Sequence, residues 1–426
     1  MTGSRQVIAA GATEEEVSML VTLIPMFDRN MQVKAYSVFS QKANQFLNPL
    51  TMMTSQNDGA TNIPGLDILN SMGIETISAD SEIFIPVSNV SIFTNMDEQC
   101  MGIPHERIVF LIDRTVPPVD MYVERVKQLK DAGFKIAIRK VAVNEFMDYA
   151  PLLSLMDYVL LNNKKIVIEK AKIFFSRMYP MAKLIAGGIE TMEIFETLKT
   201  TGGYDLYEGE FYRVPVAMGS HDIAPVKVTY LQLLKVVNAP DFELQAAADV
   251  IGRDPALTIS LLKMVNRVVK TAQITTIRHA AAMLGQRELK KWINTVVTEE
   301  LYSDKPSELT RISLLRARFA ENLAEVFEMK MQSEELFLMG LFSVLDAILE
   351  KPMKEALEMI QLSKNINNAL VLHEGPLAPV LDFMIKYESG DWPEIDRIML
   401  LKEMDSDAVF KAYEDSLVWY RMTVVG

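Results

Sequence analysis

A chain of 426 residues is too long for one typical hydrophobic core, so we expect two or three domains. Its formal net charge of −13 argues against a nucleic-acid partner, because phosphate binding requires a basic face. The single cysteine, Cys100, permits no internal disulfide, and no run of apolar residues is long enough to span a membrane. The N-terminus lacks the apolar core of a signal peptide, so we expect a cytoplasmic protein without membrane insertion.

The first half of the chain, from about residue 18 to 215, alternates short apolar segments with helix-length segments. The candidate strands are MLVTLIPMF, VKAYSVF, EIFIPV, RIVFLI, FKIAI, DYVLL, AKLIA and YDLYEG. The first two flank the turn-like DRNM and predict an antiparallel hairpin, whereas helical segments separate most of the others. This pattern predicts an α/β domain over residues 1–215, a modified TIM-like (β/α)8 barrel with one antiparallel strand. An open doubly wound sheet is the alternative.

After Pro215 the strand signal stops. Segments such as APVKVTYLQLLKVV and DPALTISLLKMVNRVV have helical spacing of apolar residues, and their ends carry glycine, proline or aspartate. The sequence therefore predicts an all-α domain over residues 216–426, with the boundary in the region rich in proline and glycine at residues 212–225. The short linker MGSHDIAP predicts that the two halves dock on one another.

Several of these segments resemble the EAL–HDOD signalling proteins of bacteria, and the resemblance covers nearly the whole chain. PMFDRNMQVKAYSVFSQ and GGIETMEIFETLKTTGGYDLYEG are similar to an EAL domain, the fold of cyclic di-GMP phosphodiesterases. ADVIGRDPALTISLLKMVN and ITTIRHAAAMLGQRELKKW are similar to an HDOD domain, an all-helical relative of metal-dependent HD phosphohydrolases. The resemblance implies a role in cyclic di-GMP-type signalling.

The resemblance also implies where a catalytic site would lie, and the residues there have changed. In active members, the strand equivalent to FKIAI ends in two aspartates that bind the catalytic metals. Here these positions are Arg139 and Lys140, and two cations would repel a divalent ion. The remaining positions that the resemblance assigns to the site are Ser37, Gln41, Pro86, Phe110, Leu160, Asn162, Gly187 and Glu208, all changed in type, and Glu190, which is retained. We therefore expect an inactive phosphodiesterase homologue with no catalytic residue, bound metal or cofactor.

The helical half lacks the ligands of an HD phosphohydrolase as well. Those enzymes hold metal with paired His and Asp side chains, whereas Phe342 and Ser343 stand near the equivalent positions, with Asp346 alone nearby. The four histidines have no spacing that suits one site; they are His105, His221, His279 and His373.

Recognition of another protein is the remaining use that we expect for the helical half. At the end of DPALTISLLKMVNRVV, Asn266 is expected to cap neighbouring backbone. Lys263 and Arg267 are the candidate partner-binding residues.

Three functions remain open from the sequence. The leading hypothesis is a non-enzymatic signal-transduction protein that binds an unidentified signalling protein through the HDOD-like half. The alternative is a receptor that binds cyclic di-GMP or another anionic nucleotide without hydrolysis, because Arg139 and Lys140 suit phosphate better than metal. The third is an active hydrolase with relocated ligands.

Overall fold

The computed structural model describes residues 19–42, 63–78, 80–100, 102–164, 167–213, 225–252, 255–268, 274–301, 303 and 307–425. In this part, eight strands form a closed barrel in the order β1 to β8. Their bounds are β1 Met19–Phe27, β2 Val33–Lys42, β3 Glu82–Pro86, β4 Ile108–Ile112, β5 Lys135–Arg139, β6 Tyr158–Asn162, β7 Lys183–Ile189 and β8 Leu206–Gly209. Strand β1 is antiparallel to both β2 and β8, and the other neighbours are parallel. The predicted barrel with one antiparallel strand is confirmed, and the open sheet is wrong.

Helices connect most of the parallel strands and cover the outside of the barrel. Their bounds are α1 Pro64–Met72, α2 Ile74–Ser78, α3 Met96–Gln99, α4 Asp120–Asp131, α5 Ala150–Leu153, α6 Ile168–Met178 and α7 Met192–Thr201. The second half is helical throughout its described residues, as predicted. Its helices are α8 Pro225–Val237, α9 Leu244–Ile251, α10 Pro255–Val268, α11 Ile277–Leu301, α12 Ser307–Val326, α13 Ser333–Phe342, α14 Leu345–Leu349, α15 Met353–Glu358, α16 Lys364–Leu372, α17 Ala378–Ser389, α18 Trp392–Leu401 and α19 Ser406–Tyr420.

Two further features concern the continuity of the helices and the boundary between the two halves. Gly285 has a φ of +75° and interrupts α11. The expected domain boundary at residues 215 and 216 lies outside the described residues, so the division into 1–215 and 216–426 stays a prediction. None of the described helices combines the length and the apolar character that a membrane crossing requires.

The β1–β2 hairpin is longer than the barrel needs. Strand β1 pairs with β2 from Met19 to Phe27, but it pairs with β8 at Met26 and Phe27. Likewise β2 pairs with β3 over 35–37, near its start. The outer part of the hairpin therefore extends beyond the barrel, where an uncovered pair of strands would expose unpaired backbone groups.

Helices of the second half cover this projecting part of the hairpin. The backbone N–H of Val21 donates to the hydroxyl of Tyr387 at 3.3 Å, and Thr22 Oγ1 donates to the carbonyl of Glu388 at 3.2 Å. The Tyr36 hydroxyl donates to Glu308 on α12 at 2.8 Å. The two halves are thus in contact through buried groups, in agreement with the docking that the short linker predicted.

A close fit between Phe39 and Gly390 generates a prediction about stability. Gly390 has a φ of +68°, and a Cβ there would lie 2.4 Å from Cδ1 of Phe39, whose ring also stacks on Trp392. We expect Gly390→Ala to lower the free energy of unfolding by about 2–4 kcal/mol, because it combines a left-handed alanine with a displaced ring. Urea denaturation measures this change.

Gly375→Ala is the matched control for this substitution. Gly375 also has a positive φ, +88°, but the nearest atom to an added Cβ is 3.8 Å away. The control should therefore cost about 1 kcal/mol, the conformational part alone. Equal losses in the two variants would show that the contact between Phe39 and Gly390 contributes nothing to docking.

Candidate functional site

The candidate site lies inside the barrel at the carboxyl ends of the strands. The barrel interior is apolar, with Ala35, Phe84, Val109, Ala137, Tyr158, Ile185 and Leu206 in one buried cluster. Side chains alternate along a strand, so the residue two positions after each of these also faces inward. We call this inward-facing set the barrel mouth; it comprises Ser37, Pro86, Leu111, Arg139, Leu160, Gly187 and Glu208.

One residue assigned to the site from sequence does not face it. Phe110 packs outward against Phe134, with 4.9 Å between the ring centroids, in the cluster between the barrel and its helices. Leu111 is the residue of β4 that faces the interior. The assignment of Phe110 was wrong by one position because every residue of β4 is buried, which leaves no polar alternation to fix the phase. The inward residue is nonetheless apolar, so β4 still presents no carboxylate.

Arg139 and Glu208 bring opposite charges together at the mouth. Burial lowers the pKa of Arg139, and the carboxylates of Asp113 and Glu208 oppose this change. Burial raises the pKa of Glu208, and Arg139 opposes that shift in turn. In the described part of the chain, Nε of Arg139 has no hydrogen-bond partner. The positive charge of Arg139 therefore acts on Glu208, the one carboxylate of the barrel mouth, and favours its ionised form.

Two acidic residues that follow strand ends, Asp113 and Glu190, also have a cation of the chain beside them. We call this surrounding of the mouth the rim. Asp113 lies 3.5 Å from Nζ of Lys140, and Glu190 lies 2.6 Å from Nζ of Lys164. Burial acts to raise the pKa of Asp113, but hydrogen bonds from Thr115 and the charges of Lys140 and Arg139 lower it overall. Lys164 is not among the residues that the sequence indicated; its position after β6, beside the strand that leads to Glu190, is the signal for it.

Leu160 and Gly187 fill the mouth from adjacent strands. A Cβ added to Gly187 would lie 2.9 Å from Cδ2 of Leu160 and 3.7 Å from Oε1 of Glu208. Leu160 thus occupies the space that a longer side chain at position 187 would need. Asn162, two residues after Leu160 on the same strand, accepts a hydrogen bond from the backbone N–H of Lys164 at 2.9 Å.

Ser37 and Gln41 on β2 serve the hairpin and the domain contact. Ser37 is 3% exposed and pairs across the sheet with Ile24 and Phe84. Gln41 lies on the projecting part of the hairpin, where its Nε2 donates to Oδ2 of Asp396 on α18 at 3.1 Å. This position, which the resemblance assigns to the catalytic site, therefore contacts the helical half.

In the helical half, Asn266 has the capping role that the sequence indicated. Its Nδ2 donates to the carbonyls of Leu262 and Ile274, each at 2.8 Å, and its Oδ1 accepts from the N–H of Ile274 at 2.8 Å. These bonds tie the end of α10 to the segment that follows it. Lys263 is exposed on the same helix, and the side chain of Arg267 lies outside the described part.

The remaining candidates in the helical half have structural surroundings. Phe342 is fully buried, and Ser343 Oγ accepts a hydrogen bond from Arg316 Nη1 at 3.1 Å. Burial raises the pKa of Asp346. His373 pairs with Asp382 at 2.8 Å on the surface, and His221 lies outside the described residues. Among the residues described, no three His, Cys, Asp or Glu side chains come together in a way that could hold a metal ion.

Comparison with known proteins gives matches over both halves. Residues 223–368 match the family model of the HDOD domain. The chain is 27% identical over 358 residues to the cyclic di-GMP phosphodiesterase CdgJ of Vibrio cholerae, covering 82% of this chain and 81% of that protein. It is 24% identical over 406 residues to the uncharacterized protein YuxH of Bacillus subtilis, covering 93% of this chain and 96% of that protein.

Among solved structures, the EAL-like domain protein YdiV is similar over 45% of this chain and 89% of its own, with 14% identity and a TM-score of 0.37. The family model over the helical half and the closed barrel with its antiparallel first strand confirm the predicted class. The chain is a closed barrel with an antiparallel first strand, joined to a helical half in which residues 223–368 match the HDOD domain.

The packing of Leu160 against Gly187 generates a prediction about the mouth. We expect Gly187→Ala to lower the free energy of unfolding by about 1–3 kcal/mol, because the new methyl group overlaps Leu160. In a Leu160→Ala background the same substitution should cost less by about 1 kcal/mol, since the space is then free. Chemical denaturation of the four proteins gives this coupling energy.

Leu161 provides the control, because it is buried on the opposite face of the same strand. Gly187→Ala should cost as much in a Leu161→Ala background as in the wild type. A coupling with Leu160 below about 0.3 kcal/mol would contradict the contact, because that is the usual limit of additivity.

Proposed function

We propose that this chain is a non-hydrolysing protein of cyclic di-GMP signalling, in which the barrel has lost its metal site and the HDOD domain binds another protein. The observation that carries the proposal is the composition of the barrel mouth. A two-metal hydrolase needs several anionic oxygen ligands around one point. The mouth holds a single carboxylate, Glu208, and the positive charge of Arg139 acts on it.

The charges of the rim support the same proposal. Asp113, Glu190 and Glu208 each have a cation of the chain beside them, at Lys140, Lys164 and Arg139 respectively. A divalent ion would have to displace these cations or share the carboxylates with them, and either change costs electrostatic energy. The surroundings thus favour an uncharged, packed mouth over a bound metal.

The link to cyclic di-GMP rests on the class of the two domains and on the relatives. CdgJ is named as a cyclic di-GMP phosphodiesterase, and that name describes the other protein. At 27% identity the fold and the signalling context transfer more readily than the chemistry, because chemistry depends on a few site residues. The side chains of the mouth are the reason to place this chain among the non-hydrolysing members.

A receptor for an anionic nucleotide is the second candidate, and one observation favours it. Arg139 faces the mouth with an Nε that has no partner among the described residues, as a phosphate-binding group would. Against it, Leu160 fills part of the mouth and Gln41 contacts Asp396. Calorimetry with cyclic di-GMP separates the two functions: heat of binding that disappears in Arg139→Gln would support the receptor, and no heat would support a protein-binding role alone.

The proposed loss of chemistry predicts the outcome of an activity assay. Purified protein should not convert cyclic di-GMP to linear dinucleotide with magnesium, manganese or calcium present. The double variant Arg139→Asp with Lys140→Asp should remain inactive, because residues that act as a unit restore little when only part of the set is repaired. Chromatography of the products, with an active EAL phosphodiesterase as positive control, measures both. Linear product above the level without protein would refute the proposal.

The proposed protein-binding role predicts different effects for two positions on α10. Asn266→Ala should lower the melting temperature by several degrees, because it removes three hydrogen bonds that are partly buried. Lys263→Glu, which changes an exposed residue of the same helix, should leave the melting temperature within about 1 °C, as expected for a surface change. It should nevertheless reduce capture of partners from the native host. Undiminished capture would exclude this helix end and direct the search to the mouth around Arg139.

A further inference from the structure

The part of the β1–β2 hairpin that projects beyond the barrel continues the barrel's inner face. Met26 and Ala35 pair across the two strands and lie in the buried interior cluster. Side chains alternate along a strand, so every second residue further out has the same inward face. These residues form the cross-strand pairs Ile24 with Ser37, Thr22 with Phe39, and Leu20 with Gln41.

This inward face of the hairpin stands beside the barrel mouth. Strand β2 runs parallel to β3 and pairs Ser37 with Phe84. Two residues further along each strand, Phe39 is therefore level with Pro86, which belongs to the mouth. The hairpin thus forms one wall of the mouth, and whatever packs on its inward face lies over the ends of β1 and β2.

The helical half packs on this wall with the end of α17 and the start of α18. We call residues 387–396 the α17–α18 corner. Its contacts with the inward face are the hydrogen bond from Thr22 to the carbonyl of Glu388 at 3.2 Å, the stack of Trp392 on Phe39 with 6.1 Å between ring centroids, and the hydrogen bond from Gln41 to Asp396 at 3.1 Å.

The α17–α18 corner covers the mouth from one side only. Besides β1 and β2, the segment after β8 reaches the corner, where Arg213 lies 3.6 Å from the carboxylate of Glu388. The cations that follow β5 and β6 on the other side have exposed side chains, with exposed fractions of 57% for Lys140 and 54% for Lys164. In the part of the chain that the structure describes, the mouth is therefore covered over β8, β1 and β2 and open over β5 and β6.

The corner fits the hairpin closely at one point and incompletely around it. A Cβ on Gly390 would lie 2.4 Å from Cδ1 of Phe39, so the absence of a side chain allows the close approach. Nε1 of Trp392 is buried without a hydrogen-bond partner among the described residues, and a partly open space of about 340 Å³ lies between β1 and the helices α12 and α17. An unpaired donor and incomplete packing both weaken docking. The buried pair of Arg316 with Glu388 lies within the helical half, so release of the corner leaves it intact.

We propose that the α17–α18 corner is an autoinhibitory cover of the barrel mouth, closed while the two halves are docked and open when the corner leaves the hairpin. The closed cover excludes any ligand that extends over the ends of β1 and β2, because the corner occupies that space. Gln41, which the resemblance assigns to the catalytic site, is held by Asp396 until the corner leaves. The cover concerns access to the mouth and is independent of whether the mouth binds a nucleotide.

Alkylation of thiols in the full-length chain tests the cover without any ligand. Cys100 reports on the barrel itself, because it is 2% exposed and burial raises the pKa of its thiol to about 12. Ser37→Cys adds a thiol in the mouth at a position that is 3% exposed. Gly390→Ala should speed alkylation of the added thiol by at least about tenfold, because the new methyl group displaces the corner. Mass spectrometry of the peptides measures both thiols, and Cys100 should stay slow because the barrel remains folded.

Gly375→Ala is again the matched control, since an added Cβ there would meet only Asn368, at 3.8 Å. It should leave alkylation of the added thiol within about twofold. Equal alkylation rates in the Gly390→Ala and Gly375→Ala proteins would overturn the proposal, because the barrel and not the corner would then bury the mouth. Equal acceleration at Cys100 would also overturn it, because the mouth would then open only when the barrel unfolds.

Hydrogen exchange of the wild type supplies a readout that does not depend on any variant folding. The backbone N–H of Val21 donates to the hydroxyl of Tyr387 in the corner, so release of the corner exposes it while the strands stay paired. It should exchange at least about tenfold faster than the slowest amides of β4, which pairs with strands on both sides. Exchange of Val21 as slow as that of β4 would mean that the corner leaves only on global unfolding, and the proposal would then be wrong.

Discussion

The bidentate pair between Arg316 and Glu388 is the interaction on which the arrangement of the molecule depends. It joins α12 to α17, is buried on both sides, and sits directly under the β1–β2 hairpin. The backbone carbonyl of the same glutamate accepts the hydroxyl of Thr22 on β1. Removing one partner of such a buried pair typically costs about 3–5 kcal/mol, because the other charge is left uncompensated. One residue therefore fixes the helices to each other and to the barrel.

The position of the hairpin follows from the ion pair and from the hydrogen bond of Thr22 to Glu388. Once α17 is held under β1, Gly390 at the end of the helix receives Phe39, and α18 reaches Gln41 through Asp396. The same strand that would contribute motif residues to an EAL site is thereby used for contact between domains. The side chains of β2 therefore take part in the contact between the two halves.

The barrel mouth combines an apolar, packed interior with charged side chains at the strand ends. The lower interior stays apolar and closely packed, with Phe84 and Tyr158 in an edge-to-face contact at 5.1 Å. At the carboxyl ends, cations of the chain stand beside the carboxylates, and Leu160 takes the space left at Gly187. These side chains lie at the strand ends, whereas the backbone pairing of the strands is set by the residues within the barrel.

The sequence by itself determined which segments form strands and helices and where the antiparallel hairpin lies, and it left the open sheet as the alternative to the closed barrel. These features follow from local periodicity, strand length and turn residues, which are written in neighbouring positions. The change of charge at Arg139 and Lys140 was also readable, because it needs only the identity of two residues at a strand end.

Only the tertiary structure decided which face each residue of β4 presents, because a strand buried on both faces has no alternation to read. The tertiary structure also decided that Lys164 pairs with Glu190. It likewise decided that Arg311 and Glu308 are buried together, because their spacing of three residues would equally suit an exposed helix face. The contact of Gln41 with Asp396 spans 355 positions of the chain. Such contacts arise from packing between distant elements, and no local pattern of residues carries them.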